Sequence, residues 1–564
     1  MKINLRIKER KLQLFFLVYI LLLVPTISLI AQNIPSEAVI PGICVSTVLS
    51  AVIFILTTFL TTKGLRIFYS VLLVAALIPG AVLLGYLLFA EVLLSEGSLT
   101  TLFETNAGES KEFIVHYMNP WVSLGIALYI LVPFVFIFRM KNMVCPSIRE
   151  HKKTFTVCIS LLFLFLTVKP VAQHIYFVDF YRIFADYKIR TASEEKAIES
   201  RRKQQFDVAL SEDGAPQTLV VVIGESLTRR HMSLYGYGRE TNPLLAARKS
   251  SLKVYRDVVS PQVHTIPVMR SILTFADEAH PEYLTDRPSL FELFNRAGYE
   301  TCLISNQPFE DGSSSYEPLL QLADRAIDLS ETNEPDGVLL KAFEQALESD
   351  KRKLIVLHLM GSHAVYKFRY PPSFNRFNHH IHPLPPGQQA SRLTAGAPET
   401  IDQYDNSVLY NDYVVSRIID LMEQRDEPSA MVYFSDHGEE VYDFRNFAGH
   451  AYEKISTFMC EIPFIVWTSG KFARKRKDLI YEETRPFSTM DALHSLADMG
   501  GLRFDGYDSG RSLFSPHFIP RERTVGDLIY DDVKLRTDEE KMREPAIASR
   551  WAALKNLILS GITD

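Results

Sequence analysis

Apolar and polar positions divide the chain into two unlike halves. Up to about residue 175 the pattern is one of long apolar runs, five of them of the ~20 residues that cross a bilayer: Leu12–Ala31, Ile40–Thr62, Ile67–Phe89, Pro120–Phe138 and Thr154–Val171. The first is too long for the apolar core of a signal peptide and four more follow it, so it is read as a retained helix. Beyond Gln217 the runs become short and β-branched: Thr218–Ile223, Glu300–Ser305, Leu354–Leu359, Ala430–Phe434 and Pro463–Trp467. Helical periodicity lies between them, over Ser289–Arg296, Asp336–Glu348 and Tyr410–Glu423. Strands alternating with helices predict an α/β domain around a largely parallel sheet. Ligands of such sheets gather beyond the carboxyl ends of the strands.

Between the halves, Tyr176, Phe177, Phe180, Tyr181, Phe184 and Tyr187 precede a charged run, Glu194–Lys203. An amphipathic helix on the outer membrane face suits that order, and so does a plain linker. Three domains result: a five-helix membrane domain over 1–172, linker helices over 173–215, and an α/β domain over 216–564. Residues Arg376–Pro386, rich in Pro, His and Asn, read as a loop.

Charge orients the first half. Lys2, Arg6, Lys8, Arg10 and Lys11 precede the first run, Lys63 and Arg66 follow the second, and Arg139, Lys141, Arg149, Lys152 and Lys153 follow the fourth. The alternate loops are poor in Lys and Arg. The positive-inside rule then places the N-terminus in the cytoplasm and everything after Val171 outside. Lys169 reads as a residue that snorkels to the interface. The net charge of −6 offers no basic surface for nucleic acid. Of the five cysteines, Cys44, Cys145 and Cys158 lie in or beside apolar runs; Cys302 and Cys460 alone lie in the second half, without a CxxC pair.

Polar residues suited to a metal follow three predicted strands. Glu225 stands in Gly224-Glu225-Ser226, His363 in Gly361-Ser362-His363, and Asp436 with His437 in Ser435-Asp436-His437-Gly438-Glu439. Carboxylate and imidazole together suit zinc. Adjacent Asp436 and His437 converge only where a strand gives way to a turn, which Gly438 would permit. His450 lies a short loop later. Taken singly, each has a plainer reading: a solvated turn for the Asp-His pair, a helix N-terminus for Glu225, a hydrogen-bonded core residue for His363. The group His379, His380 and His382 reads as an exposed polar loop without a nearby carboxylate.

Together the segments resemble a known family. Gly224-Glu225-Ser226, Met232–Tyr237, Arg239–Pro243, Gly361–His363, Tyr404–Tyr410 and Ser435–Glu439 resemble, in order, the motifs of the phosphoethanolamine transferases. These belong to the alkaline phosphatase and sulfatase superfamily. The resemblance implies a sulfatase-like fold behind five membrane helices, in a multi-pass protein of the bacterial inner membrane with a periplasmic catalytic domain. It implies zinc held by Glu225, Asp436, His437 and a nucleophilic threonine, which Thr265 fits. His363 and His450 fall where the family contacts the transferred phosphate or a second zinc, and Glu439 and Asn306 where it contacts substrate. Ser226, next to Glu225, is the rival nucleophile, or a helix cap.

The implied reaction takes phosphoethanolamine from phosphatidylethanolamine and places it on lipopolysaccharide. Pro261 and Ser271 stand where lipid A-modifying members have cysteines, and Gln307–Gly312 lacks a lysine expected there. The chain therefore looks more like the branch that modifies a core heptose, with lipid A as the alternative acceptor. Rival readings are a phosphoglycerol transferase of the lipoteichoic-acid synthase type and a membrane-anchored scaffold with an inactive sulfatase fold.

Overall fold

A computed structural model describes residues 16, 19, 22–23, 36–90, 96–105, 111, 120–138, 149–201, 206–211, 214–277, 279–309, 317–385 and 396–541. The first expected span, Leu12–Ala31, lies outside them but for four residues, as do the N-terminal basic residues, Arg139, Lys141, Cys145 and Pro386. The chain divides into two compact units, one of residues 1–103 and 107–190, the other of residues 104–106 and 191–564.

The first unit is helical: α1 (Ser36–Thr57), α2 (Thr62–Ala90), α3 (Pro120–Phe138), α4 (Lys152–Thr167) and the start of α5 (Tyr176–Arg201). Two of these contain segments long and apolar enough to cross a membrane, Ile40–Thr57 and Lys63–Tyr86. The apolar part of α3 is shorter, Ser123–Val135. Helix α4 stops at Val168, whose backbone is extended, and a separate turn begins with Lys169 and Pro170. Proline supplies no N–H to carry the α4 ladder onward, so the fifth expected span, Thr154–Val171, is not one continuous helix. On α2, Ile67, Val71, Val74 and Ile78 are all more than half exposed at helical spacing. An apolar stripe of that kind suits lipid and is a liability in water. At the start of α5, Phe180, Phe184 and Tyr187 gather on Phe103.

The second unit is built on seven strands: β1 (Thr218–Gly224), β2 (Leu252–Tyr255), β3 (Glu300–Ser305), β4 (Arg325–Asp328), β5 (Lys353–His358), β6 (Ser429–Ser435) and β7 (Phe464–Thr468). They lie in the order β2-β7-β6-β1-β5-β3-β4. All run parallel except β7, which is antiparallel to both β2 and β6. The sheet is therefore mixed by one strand. Central β1 reads Thr-Leu-Val-Val-Val-Ile-Gly because both its faces are covered. Leu219, Val221 and Ile223 enter one apolar core, Val220 and Val222 the other. Full burial of each such side chain is worth about 1.5–3 kcal/mol.

Helices α6 (Thr265–Leu273), α7 (Leu290–Arg296), α8 (Leu339–Leu347), α9 (Ala397–Glu423) and α10 (Ala492–Gly500) flank the sheet. Ser289 and Glu292 form a capping box at the start of α7. Residues Val208–Leu210, expected in the linker, pair with Leu502–Phe504.

Helix α9 ties the sequence motifs together. Asp405 receives His231 Nδ1 at 2.7 Å, Arg239 at 2.8 Å and the Tyr237 hydroxyl at 3.0 Å. Tyr404 donates its hydroxyl to the Ser226 carbonyl at 2.8 Å. The Asp412 carboxylate accepts the backbone N–H groups of Leu244 and Leu245, each at 2.9 Å. Motif residues on α9 thus fix the loop that follows β1.

His231 gives this framework a pH dependence. Burial opposes a charge on its ring, but Asp443 and Asp405 outweigh burial and hold it up at about 9. A raised histidine stabilises the fold fully below its unfolded value of about 6.5, and that contribution fades as pH rises through 9. Its size is of order 3 kcal/mol at one pKa unit per ~1.4 kcal/mol. The melting temperature is expected to fall between pH 7 and 9.5 more steeply in the wild type than in His231→Gln. Thermal denaturation of both across that range checks it.

Candidate metal centre

Four neighbouring strands, β6, β1, β5 and β3, end at the same edge of the sheet. Gly224 lies level with Ser435, Ile223 with His358, and His358 with Ser305. The next residues of each strand therefore meet: Asp436 and His437, Glu225, Gly361–His363, and Asn306 with Gln307. Gly361 has φ +52°, and a Cβ there would lie 2.6 Å from the Glu225 carbonyl oxygen. Only glycine lets these two turns touch. Gly438 acts differently from expectation: its φ is not positive, but a Cβ would meet the Phe458 carbonyl at 2.2 Å. Close packing, not a left-handed turn, requires it.

Glu225, Asp436 and His437 are wholly buried, and each offers a ligand atom within 4.8 Å of the others. His437 Nε2 lies 3.4 Å from Glu225 Oε1 and 3.5 Å from Asp436 Oδ2. His437 Nδ1 sits 2.9 Å from the Gly438 carbonyl. A carbonyl only accepts, so Nδ1 carries hydrogen and Nε2 is turned to the carboxylates. Asp436 Oδ1 accepts the backbone N–H groups of Ser226 and His437. Its Oδ2, like His437 Nε2, is buried without a hydrogen-bond partner among the described residues. Buried groups of this kind are costly unless a ligand satisfies them. Two carboxylates, one imidazole and two orphaned ligand atoms fit a divalent cation such as zinc.

Electrostatics agree. Burial alone would raise the Glu225 carboxyl, but the His437 ring 3.4 Å away holds it well below its usual range. Burial, then the Glu225 charge, pushes Asp436 well above. Burial opposes a charged His437, while Asp436 and Glu225 hold it up at about 10.

Thr265, the first residue of α6, donates its hydroxyl to Glu225 Oε2 at 3.0 Å and is partly accessible. Ser226 donates to Glu225 Oε1 at 2.7 Å but is wholly buried, with φ +54°. No helix begins there; Thr228 caps the next short turn, so Ser226 is not a helix cap.

His437, Glu439 and His450 form a second group with ligand atoms within 4.8 Å. His450 Nδ1 lies 2.6 Å from Glu439 Oε2, and Tyr366 donates to Glu439 Oε1 at 2.7 Å. Burial raises Glu439 to about 7. Burial, then the charge of His437, keeps His450 well below the usual imidazole value. His363 is partly accessible, its Nδ1 held by the Ala364 carbonyl at 2.8 Å.

Asn306 is placed otherwise: its amide donates to Asp336 Oδ1 and the Glu334 carbonyl. Gln307 reaches the cluster instead, donating to Glu225 Oε2 and to the Leu359 carbonyl, both at 2.9 Å. Sequence reasoning passed over Gln307, though it follows a strand end as the others do. It also passed over His264, whose only signal was its place beside Thr265. His379 does have a carboxylate partner, Asp402 of α9, at 2.6 Å, which corrects the reading of that loop.

Residues 217–502 match the sulfatase family model. Over 513 residues the chain is 30% identical to phosphoethanolamine transferase EptC of Escherichia coli K12, spanning 84% of this chain and 87% of that one. The crystal structure of the C-terminal periplasmic domain of EptC from Escherichia coli, in complex with Zn, is 35% identical with a TM-score of 0.52, covering 56% of this chain and 91% of that one. The integral membrane lipooligosaccharide phosphoethanolamine transferase A (EptA) of Neisseria meningitidis shares the fold, with a TM-score of 0.64 at 18% identity, covering 90% of this chain and 98% of that one.

Proposed function

The chain belongs to the phosphoethanolamine transferases of the alkaline phosphatase and sulfatase superfamily, and from that premise we propose that it moves phosphoethanolamine from phosphatidylethanolamine to a heptose of the lipopolysaccharide core through a covalent Thr265 intermediate. Zinc would be held by Glu225, Thr265, Asp436 and His437. The relative whose periplasmic domain was solved with zinc supports that choice of metal. The observation that carries the reading is the Thr265 hydroxyl, partly open to solvent and hydrogen-bonded to Glu225 at 3.0 Å beside the orphaned ligand atoms.

Zinc, when bound, lowers the pKa of a hydroxyl and offsets charge on a phosphoryl group. Thr265 Oγ loses its proton and attacks phosphorus, and the P–O bond to diacylglycerol breaks as the leaving oxygen gains a proton. Glu225 Oε2 orients the threonine hydroxyl. His363 and His450, their Nδ1 atoms already engaged, turn Nε2 to the phosphoryl oxygens or the departing alcohol. A sugar hydroxyl then loses its proton and attacks the same phosphorus, the P–O bond to Thr265 breaks, and Oγ regains a proton.

Donor and acceptor are membrane lipids, so tethering raises their effective concentration. The proposed topology has five spans, a cytoplasmic N-terminus and a periplasmic domain over 216–564, tethered through 173–215. Cys302 and Cys460 are both free and lie in different apolar cores, which supports the cysteine-poor, core-modifying branch. Mass spectrometry of lipopolysaccharide from cells with and without the protein, split into lipid A and core, tests this. A core fragment heavier by one phosphoethanolamine is expected; the gain on lipid A instead would move the acceptor, and an added phosphoglycerol would replace the reading.

A further inference from the structure

His264 is only 7% exposed, and its Nε2 is buried without a hydrogen-bond partner among the described residues. Neither group of potential metal ligands includes it. As the residue preceding α6 it has extended backbone, φ −137° and ψ 145°, and makes no side-chain cap. Its ring packs 4.6 Å from Tyr452, 4.8 Å from His450 and 6.5 Å from His437, between centroids. The orphaned atoms of Asp436 and His437 are explained by a cation; this one is not. An unmet buried polar atom is costly unless a ligand supplies its partner. The next residue along the chain is the proposed acceptor of a phosphoryl group.

We propose that His264 is a further catalytic residue, whose Nε2 donates a hydrogen bond to a non-bridging phosphoryl oxygen as the group passes to and from Thr265. The proposal rests on Thr265 being the nucleophile. The imidazole keeps its proton throughout: the P–O bond to Thr265 Oγ forms as that to diacylglycerol breaks, and later breaks as the P–O bond to the acceptor forms. An aligned donor is worth more at the transition state, where charge on the oxygens is redistributed in a water-poor site, than in the ground state.

The test uses full-length enzyme in detergent micelles with phosphatidylethanolamine and no acceptor, in a single turnover. Diacylglycerol release is followed, with the mass of the tryptic peptide Asp257–Arg270. His264→Phe keeps a ring against His450 and Tyr452 but has no N–H; His264→Gln offers an amide donor. The Phe variant is expected to form the adduct about 100-fold more slowly with zinc content equal to wild type, and Gln to recover at least about tenfold of that loss. Wild-type speed in the Phe variant, no recovery in Gln, or zinc loss in the Phe variant would each overturn the role. A wild-type peptide without phosphoethanolamine on Thr265 would instead remove the nucleophile assignment, whatever the variants do.

Discussion

Thr265→Ala is expected to lower phosphoethanolamine transfer by about 10⁴-fold or more, as loss of a covalent nucleophile does in enzymes whose catalytic groups act as a unit. Folding should be little affected. The side chain is partly accessible and makes one hydrogen bond, to Glu225, worth about 1 kcal/mol. Ser226→Ala should behave differently. Its hydroxyl supports Glu225 Oε1 from a buried position, and loss of such outer support typically costs 10–100-fold. Thr265→Ser restores a hydroxyl and should recover part of the rate. The check is donor turnover for all three, with intact mass of the enzyme after donor alone. A mass gain that survives Thr265→Ala and vanishes in Ser226→Ala would make Ser226 the nucleophile.

The same residues show how much of the fold is legible in the sequence. Strands buried on both faces announce themselves as apolar runs, so β1, β3, β5 and β6 were legible nearly to the residue. Edge strands were not: Leu-Lys-Val-Tyr of β2 and Arg-Ala-Ile-Asp of β4 are short and partly polar, and gain their conformation from a neighbour. The reversed direction of β7 lies in how the chain connects, not in its composition. Helix α9 was expected only from Tyr410, because its first half buries Asp402, Asp405 and Asn406. Those polar side chains are satisfied by partners distant in sequence, which hides the apolar period.

The centre divides in a similar way. Glu225, Asp436 and His437 were visible because charged residues at strand ends need a reason to be there. Gln307 is a neutral amide whose importance lies in its two partners, Glu225 and Leu359. Asn306, chosen in its stead, spends its amide on Asp336, which in turn accepts the N–H groups of Met360 and Gly361. It braces the Gly361 turn that touches Glu225. Sequence could place both residues after β3, but only the register of β3 on β5 decides which one faces the carboxylate.

Zinc affinity is expected to rise at least tenfold per pH unit between pH 6 and 8, and so by about 100-fold or more across that range. His437 Nε2 must be free of hydrogen to bind a cation, and its neighbours hold the ring charged up to about 10. One proton is therefore displaced throughout this interval, and the affinity follows the first power of hydroxide. Asp436, whose pKa burial and the Glu225 charge drive above the usual carboxylate value, can only steepen this dependence. Glu225 adds none, because its pKa is held well below. The sign is fixed: acid weakens binding, alkali strengthens it. Asp436→Asn removes a ligand and this titrating carboxyl together, so its affinity should be lower and its dependence on pH no steeper than that of the wild type. Chelator competition on the full-length protein at half-unit pH steps measures both slopes. An affinity flat from pH 6 to 8 would mean that cation and protons do not compete for these atoms, and would place the metal away from Asp436 and His437.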